Sequence, residues 1–242
     1  MVQSNQEYLA ESFRKVTKKI SEVKLRRKQH LLSTKGRFNI FSILRLGNSE
    51  NHHSRFIFDL LNPEGSHDCG DKFLNCFLDI ISEDPSLKNL QNIKGKKLTN
   101  ARTEESTDAN RRIDIYLEFG GYAIAIENKI WAGEQNDQIS HYSTYIKSNS
   151  ENRFLFYLTL NGKESETHKG STYFPISYEK HILKWLDICL KNSYKHTNIN
   201  QSLQQYQTII RQLTNQTLEQ EDMAEIKDII LSDSNILNNK DE

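Results

Sequence analysis

Cysteine is scarce: Cys69, Cys76 and Cys189 are the only three in 242 residues, an odd number with no Cys-x-x-Cys pair. That argues against a disulfide framework and against a cysteine-based zinc site. Proline (3) and glycine (10) are also few, so Gly- or Pro-rich linkers and low-complexity segments are missing. No apolar run reaches the ~18 residues of a membrane span, and the N-terminus has no apolar signal-peptide core. Net charge is missing too: 32 Lys+Arg balance 32 Asp+Glu, which argues against a uniformly basic polyanion binder. These shortages predict a soluble, cytoplasmic protein of a reducing compartment with no membrane partner. What is present is aromatic: 11 Phe and 10 Tyr, too many for a disordered chain. The length allows one large domain, or one domain with an appendage, around a sizeable core.

The charge is unevenly distributed. Residues 1–47 carry 11 Lys/Arg against 3 Asp/Glu, residues 48–200 carry 18 against 21, and residues 201–242 carry 3 against 8. The basic end includes Lys18, Lys19, Arg26 and Arg27. It reads either as the solvated face of a long helix or as a phosphate-contacting arm. The opposite charge of the two ends permits contact within one chain or between two, as in a homodimer.

Hydrophobic spacing predicts one helix over 4–32, with Tyr8, Phe13, Val16, Ile20, Val23 and Leu31 near a 3.6-residue period. A short helix around Phe38–Leu44 closes at Gly47, and a third, capped by Ser49, stops at Asn62-Pro63. Phe73, Phe77, Leu78 and Ile81 mark a fourth. The period then changes. Residues 97–106 are a weak strand candidate, and residues 113–117 and 122–130 flank the Gly120-Gly121 turn as a hairpin. A helix is expected from Glu134 to about Lys147, a buried strand from Arg153 to Leu160, a short strand from Tyr173 to Ser177, and helices over about 179–192, 200–217 and 219–231. The pattern predicts an α/β fold: a central sheet flanked by helices, with a helical N-terminal layer and a helical C-terminus. The division expected is 1–36 (basic helix), 37–195 (core) and 196–242 (C-terminal helices and acidic tail).

The hairpin carries the chemistry. Strand alternation puts Glu127 and Lys129 on one side, with small Ala123 and Ala125, and puts Ile124, Ile126 and Ile130 on the other. Asp114 lies between Ile113 and Ile115 on the partner strand. Charges inside a sheet are costly unless paired or metal-bound. Two carboxylates from adjacent strands make a hard-oxygen site suited to Mg²⁺, with Mn²⁺ as a substitute. The plain alternative is a buried Asp–Lys–Glu ion-pair cluster without catalysis.

Asp114 followed by Glu127-Asn128-Lys129 resembles the core of the PD-(D/E)XK nucleases, which implies a restriction-endonuclease-like fold. The next helix carries Gln138 and Tyr142, similar to the Gln-xxx-Tyr motif of the RecB-like and lambda-exonuclease-like branches. Glu50-Asn51-His52-His53-Ser54 with Phe58-Asp59-Leu60-Leu61-Asn62-Pro63, Arg111-Arg112-Ile113-Asp114-Ile115, Ile126 through Gln135, and Ile176-Ser177-Tyr178 before Trp185-Leu186 resemble an uncharacterised bacterial branch. The resemblance spans roughly residues 37–190. It implies that Asp114 and Glu127 bind the metal, joined by the Asn128 backbone carbonyl and Glu50. Lys129 would orient or activate water and steady the phosphate. Gln138 would touch the metal shell or a phosphate. Tyr142, His53, Arg111 and Arg112 would face nucleic acid, with Lys18, Lys19, Arg26 and Arg27 on the basic arm. The Pro of the motif is replaced by Ile113, and Glu104 and Glu105 are both open as further acidic ligands.

The function that the resemblance implies is a Mg²⁺-dependent nuclease that hydrolyses DNA and leaves a 5′ phosphate, with RNA as the alternative substrate, in phage defence, restriction or repair. The competing reading is an inactive nuclease-fold module that binds nucleic acid or a protein partner.

Overall fold

A computed structural model describes residues 11, 13–25, 38–107, 111–149, 151–214, 224–228 and 231. The chain divides into two compact units: residues 40–214, and residues 1–39 with 215–242. In the second unit residues 13–25 are helical, with Val16 and Val23 buried and Lys18 and Lys19 exposed. Phe13, expected on the apolar face, is exposed. Arg26 and Arg27 lie outside the described residues. So do the ends of the helix expected over 4–32.

The larger unit opens with a single helical turn at Ile40–Ile43. Helices α1 (Glu50–Leu61) and α2 (Lys72–Ile81) follow. Ser49 holds the N-cap position of α1, as expected, but its hydroxyl makes no capping bond. Pro85–Ile93 forms 3-10 turns that hydrophobic periodicity does not reveal, capped where Asp84 accepts from the Ser86 amide at 2.9 Å.

Strands β1 (Leu98–Ser106), β2 (Arg112–Phe119) and β3 (Tyr122–Lys129) are antiparallel neighbours. Phe119 pairs with Tyr122 across a two-residue turn, where Gly121 takes φ 82°, a conformation that glycine adopts without a Cβ penalty. Helix α3 (Gln138–Asn149) crosses to β4 (Asn152–Thr159), which runs parallel to β3, and β5 (Phe174–Ser177) lies parallel to β4. The sheet order is β1-β2-β3-β4-β5. A π-turn at Tyr178–Ile182 then leads into α4 (Leu183–Asn192), and α5 (Thr197–Leu213) ends the unit.

Two apolar layers hold the sheet. Ile115, Leu117, Ile124, Ile126 and Phe156 pack against Ile57, Phe73 and Phe77 of α1 and α2 and against Trp185 and Tyr206 of α4 and α5. On the opposite face Ala123 and Ala125 leave room for Ile139, Tyr142 and Ile146 of α3. A mixed sheet between helices is the restriction-endonuclease-like α/β arrangement. The expected segment 196–242 is divided differently here: Leu203, Tyr206 and Ile210 bury α5 in the central core. Helix α3 starts at Gln138 rather than near Glu134, because Glu134 is engaged by the β4–β5 loop. No helix among the described residues is long and apolar enough to cross a membrane.

Candidate active site

The antiparallel register brings the carboxylates together. Ile115 pairs with Ile126, so one step further along the ladder Asp114 and Glu127 project from the α3 side. Asp114 accepts from the Asn128 amide at 2.7 Å. Glu127 Oε1 receives the Lys129 ammonium at 2.8 Å and the Gln138 amide group at 2.7 Å. Its other oxygen, Oε2, is buried with no hydrogen-bond partner.

Electrostatics mark this pair as incomplete. Burial, reinforced by Asp114, pushes the Glu127 carboxyl up to about 8 against the pull of Lys129. Burial also pushes Asp114 up to about 6, opposed by the Asn128 amide and Lys129 and reinforced by Glu50 and Glu104. Lys129 moves upward: burial disfavours its charge, but Glu127, Asp114 and Glu50 outweigh burial. One ammonium therefore serves three acids.

Glu50 reaches the site from the first turn of α1. Its Oε1 accepts the amides of Ile130 at 2.6 Å, Trp131 at 2.8 Å and Ala132 at 3.0 Å. Burial alone would raise its pKa, but the three amides and Lys129 bring it below the usual glutamate range. Its carboxylate thus clamps the loop that leaves β3.

Asn128, between the two charged residues, points to the other face and is fully buried. Its side-chain nitrogen donates to Ser54 Oγ at 3.0 Å and to the Glu50 carbonyl at 3.2 Å. Its oxygen accepts from Tyr178 Oη at 2.9 Å. The strand end is therefore fastened on both faces.

Two residues expected at the nucleic-acid surface are placed elsewhere. Tyr142 is 1% exposed and donates to the Arg112 carbonyl while accepting from Gln138 at 3.1 Å. Its aromatic ring completes the α3 layer, so it orients Gln138 rather than meeting solvent. His53 is 2% exposed and bridges Tyr206 Oη at 2.9 Å and the Gly47 carbonyl at 3.1 Å. Burial pushes its pKa down, so it packs as a neutral core residue.

Arg111 donates to the Asn136 carbonyl at 2.7 Å through Nη2, and its Nη1 is buried without a partner. Arg112 is exposed and lies 3.8 Å from Glu104. Glu104 sits at φ 55° and accepts from Asn51 at 3.4 Å, whereas Glu105 accepts from Tyr145 at 3.1 Å. Of the two, Glu104 is the one whose charge reaches Asp114. Lys18 and Lys19 belong to the other compact unit.

Some residues that build the site carry no expected role in the sequence. Tyr178 and Ser54 bind Asn128. Glu134 Oε1 and Oε2 collect five hydrogen bonds, from Tyr157 Oη, Ser165 Oγ, the amides of Glu166 and Thr167, and Thr167 Oγ1, at 2.6–3.1 Å. The one signal for Tyr178 and Ser54 was a polar Asn in a buried strand, since such a group requires partners.

Among the described residues, no three His, Cys, Asp or Glu side chains are grouped so as to hold a metal ion by themselves. The donor set still fits a hard divalent cation. Asp114 and Glu127 are two neighbouring carboxyl groups whose raised pKa values a cation would lower, and Glu127 Oε2 is a buried oxygen with no hydrogen-bond partner. Mg²⁺ commonly takes only one or two carboxylates, with water and phosphate completing its shell.

A family model described as the PD-(D/E)XK nuclease superfamily matches residues 38–208. No curated protein and no solved structure matches the chain.

Proposed function

This chain belongs to the PD-(D/E)XK nuclease superfamily, and from that membership we propose that it is a metal-dependent nuclease that hydrolyses DNA phosphodiester bonds. The observation that carries the reading is a pair of buried polar atoms without hydrogen-bond partners, Glu127 Oε2 and Arg111 Nη1. A divalent cation beside the first and a phosphate beside the second would supply the missing partners.

In this reading Asp114 and Glu127 would hold Mg²⁺, or Mn²⁺ in its place, with the Asn128 backbone carbonyl as a further oxygen donor, and the bound cation would supply positive charge against the phosphodiester and acidify water at the site. Lys129, held on Glu127, presents protons toward charge that develops on the phosphate. Gln138, oriented by Tyr142, fixes the Glu127 carboxylate. Glu50 keeps the loop after β3 in place beside them. Phage defence, restriction and repair all use such chemistry.

The absence of a third grouped acidic ligand among the described residues favours a second reading, an inactive nuclease-fold module. One experiment separates them. The purified chain is incubated with linear, circular and single-stranded DNA and with RNA, in Mg²⁺, Mn²⁺ or EDTA, beside Glu127→Ala and Lys129→Ala. Metal-dependent cleavage of DNA, lost in both variants, is the expected result. Undiminished cleavage in the variants overturns the site assignment, and DNA binding without cleavage supports the second reading.

A further inference from the structure

Trp131 lies two residues beyond Lys129 and is 62% exposed. The other tryptophan, Trp185, is fully buried, with its indole N–H on the Phe73 carbonyl at 2.8 Å. A single exposed aromatic is ordinary on a protein surface. Two observations set this one apart. First, its backbone is held: its own amide and those of Ile130 and Ala132 all donate to Glu50 Oε1. The indole therefore projects from a fixed backbone, and contact need order only its side-chain torsions. Second, it stands where β3 ends beside Asp114, Glu127 and Lys129. Arg111 is tied to the same loop through Asn136, with Nη1 unpartnered. An exposed aromatic face and a guanidinium beside an acidic pair match the three parts of a nucleotide strand: base, phosphate and the cation that accompanies it.

Resting on the nuclease reading above, we propose that Trp131 is a stacking platform for a nucleobase of an unpaired strand. Inside an intact duplex each base face is covered by its neighbours, so an indole can stack only on a strand that is single, frayed or opened. The substrate class is then nucleic acid with an exposed base face. Arg111, joined to the same loop through the Asn136 carbonyl, is a cation for the adjoining phosphate.

The two tryptophans make the test direct, because Trp185 is sealed in the core and Trp131 reports on the surface. The full chain is titrated with a 12-nucleotide single strand and with a relaxed closed-circular duplex, which has no ends, in EDTA, so that no cleavage occurs. Tryptophan emission and the anisotropy of a labelled strand are read together. The single strand is expected to quench the Trp131 emission, and the endless duplex to leave it unchanged. Trp131→Ala is expected to weaken single-strand binding roughly 5- to 150-fold, the range that one stacked base commands. Trp131→Phe, which keeps a planar ring, should recover most of that loss. An unchanged melting temperature in both variants excludes misfolding.

Strand binding without quenching, equal affinity in Trp131→Ala, or no binding at all overturns the platform. The nuclease reading is tested separately, by cleavage in Mg²⁺ or Mn²⁺. Quenching in a chain that cleaves nothing leaves the platform standing and removes the nuclease.

Discussion

Replacing Glu50 with alanine deletes a carboxylate oxygen on which three consecutive amides converge. The Ile130 amide is in a half-buried setting, and leaving it without an acceptor costs about 1–3 kcal/mol. The Trp131 and Ala132 amides are near solvent, where water replaces the lost acceptor, so each adds only a few tenths of a kcal/mol. The negative charge in the first turn of α1 contributes roughly 0.5 kcal/mol through the helix dipole. Two further effects oppose each other. Removal of Glu50 relieves repulsion on Asp114 and Glu127, and it also takes an attractive partner from Lys129. The expected net loss is about 2–3 kcal/mol, which for a unit of this size lowers Tm by roughly 5–10 °C. Glu50→Gln keeps a neutral oxygen and should lose only about 1 kcal/mol, because charge-assisted bonds are roughly twice as strong as neutral ones. Urea denaturation followed by circular dichroism measures both. Alanine within 0.5 kcal/mol of the parent, or glutamine as damaging as alanine, refutes the clamp.

Tyr178→Phe removes the donor to buried Asn128 Oδ1, and denaturation should show a loss of about 1–3 kcal/mol, accompanied by weaker Mg²⁺ binding in calorimetry. Trp185→Ala empties a fully buried site between Phe73 and Phe77 and should cost about 3–5 kcal/mol, read from the urea midpoint. The Glu134 carboxyl sits at about 2: burial would raise it, and donors from Ser165, Thr167, Tyr157 and Glu166 overcome that. A pKa depressed on folding contributes stability that is complete above the unfolded value near 4.5 and is lost as pH falls toward 2. The full shift is worth about 3 kcal/mol, reduced by solvent screening to roughly 1–2 kcal/mol. The stability gap between the parent and Glu134→Gln should therefore narrow between pH 4.5 and pH 2, and a constant gap across that window contradicts the assignment.

Most of the fold was legible wherever the apolar pattern had one simple period. The run Arg153 to Leu160 reads as a buried strand and forms β4, buried on both faces between α3 and the α1–α2–α4–α5 layer. Gly120-Gly121 marks the hairpin because the turn needs a positive φ, which Gly121 supplies. The failures share a cause in tertiary contact. Helix α3 starts four residues later than Glu134 because five donors hold that carboxylate to the 165–167 loop, an energy that no local propensity encodes. Helix α5 joins the central unit because Leu203, Tyr206 and Ile210 meet core residues far away in sequence.

The site was legible in its types and less so in its directions. Alternation placed Glu127 and Lys129 together, and Lys129 indeed lies on Glu127. Helical spacing placed Tyr142 beside Gln138, which also holds, but spacing says nothing about which side of a helix meets solvent. For Tyr142 and His53 that side is the core. His53 lies one turn before Ile57 on the face of α1 that also carries Leu60 and Leu61 into the core, and there it meets Tyr178 and Tyr206. The same face is fastened to the sheet where the buried Asn128 side chain makes its three hydrogen bonds with Ser54, the Glu50 carbonyl and Tyr178. Glu50, at the very start of α1, is left to reach around the strand end to the loop after β3.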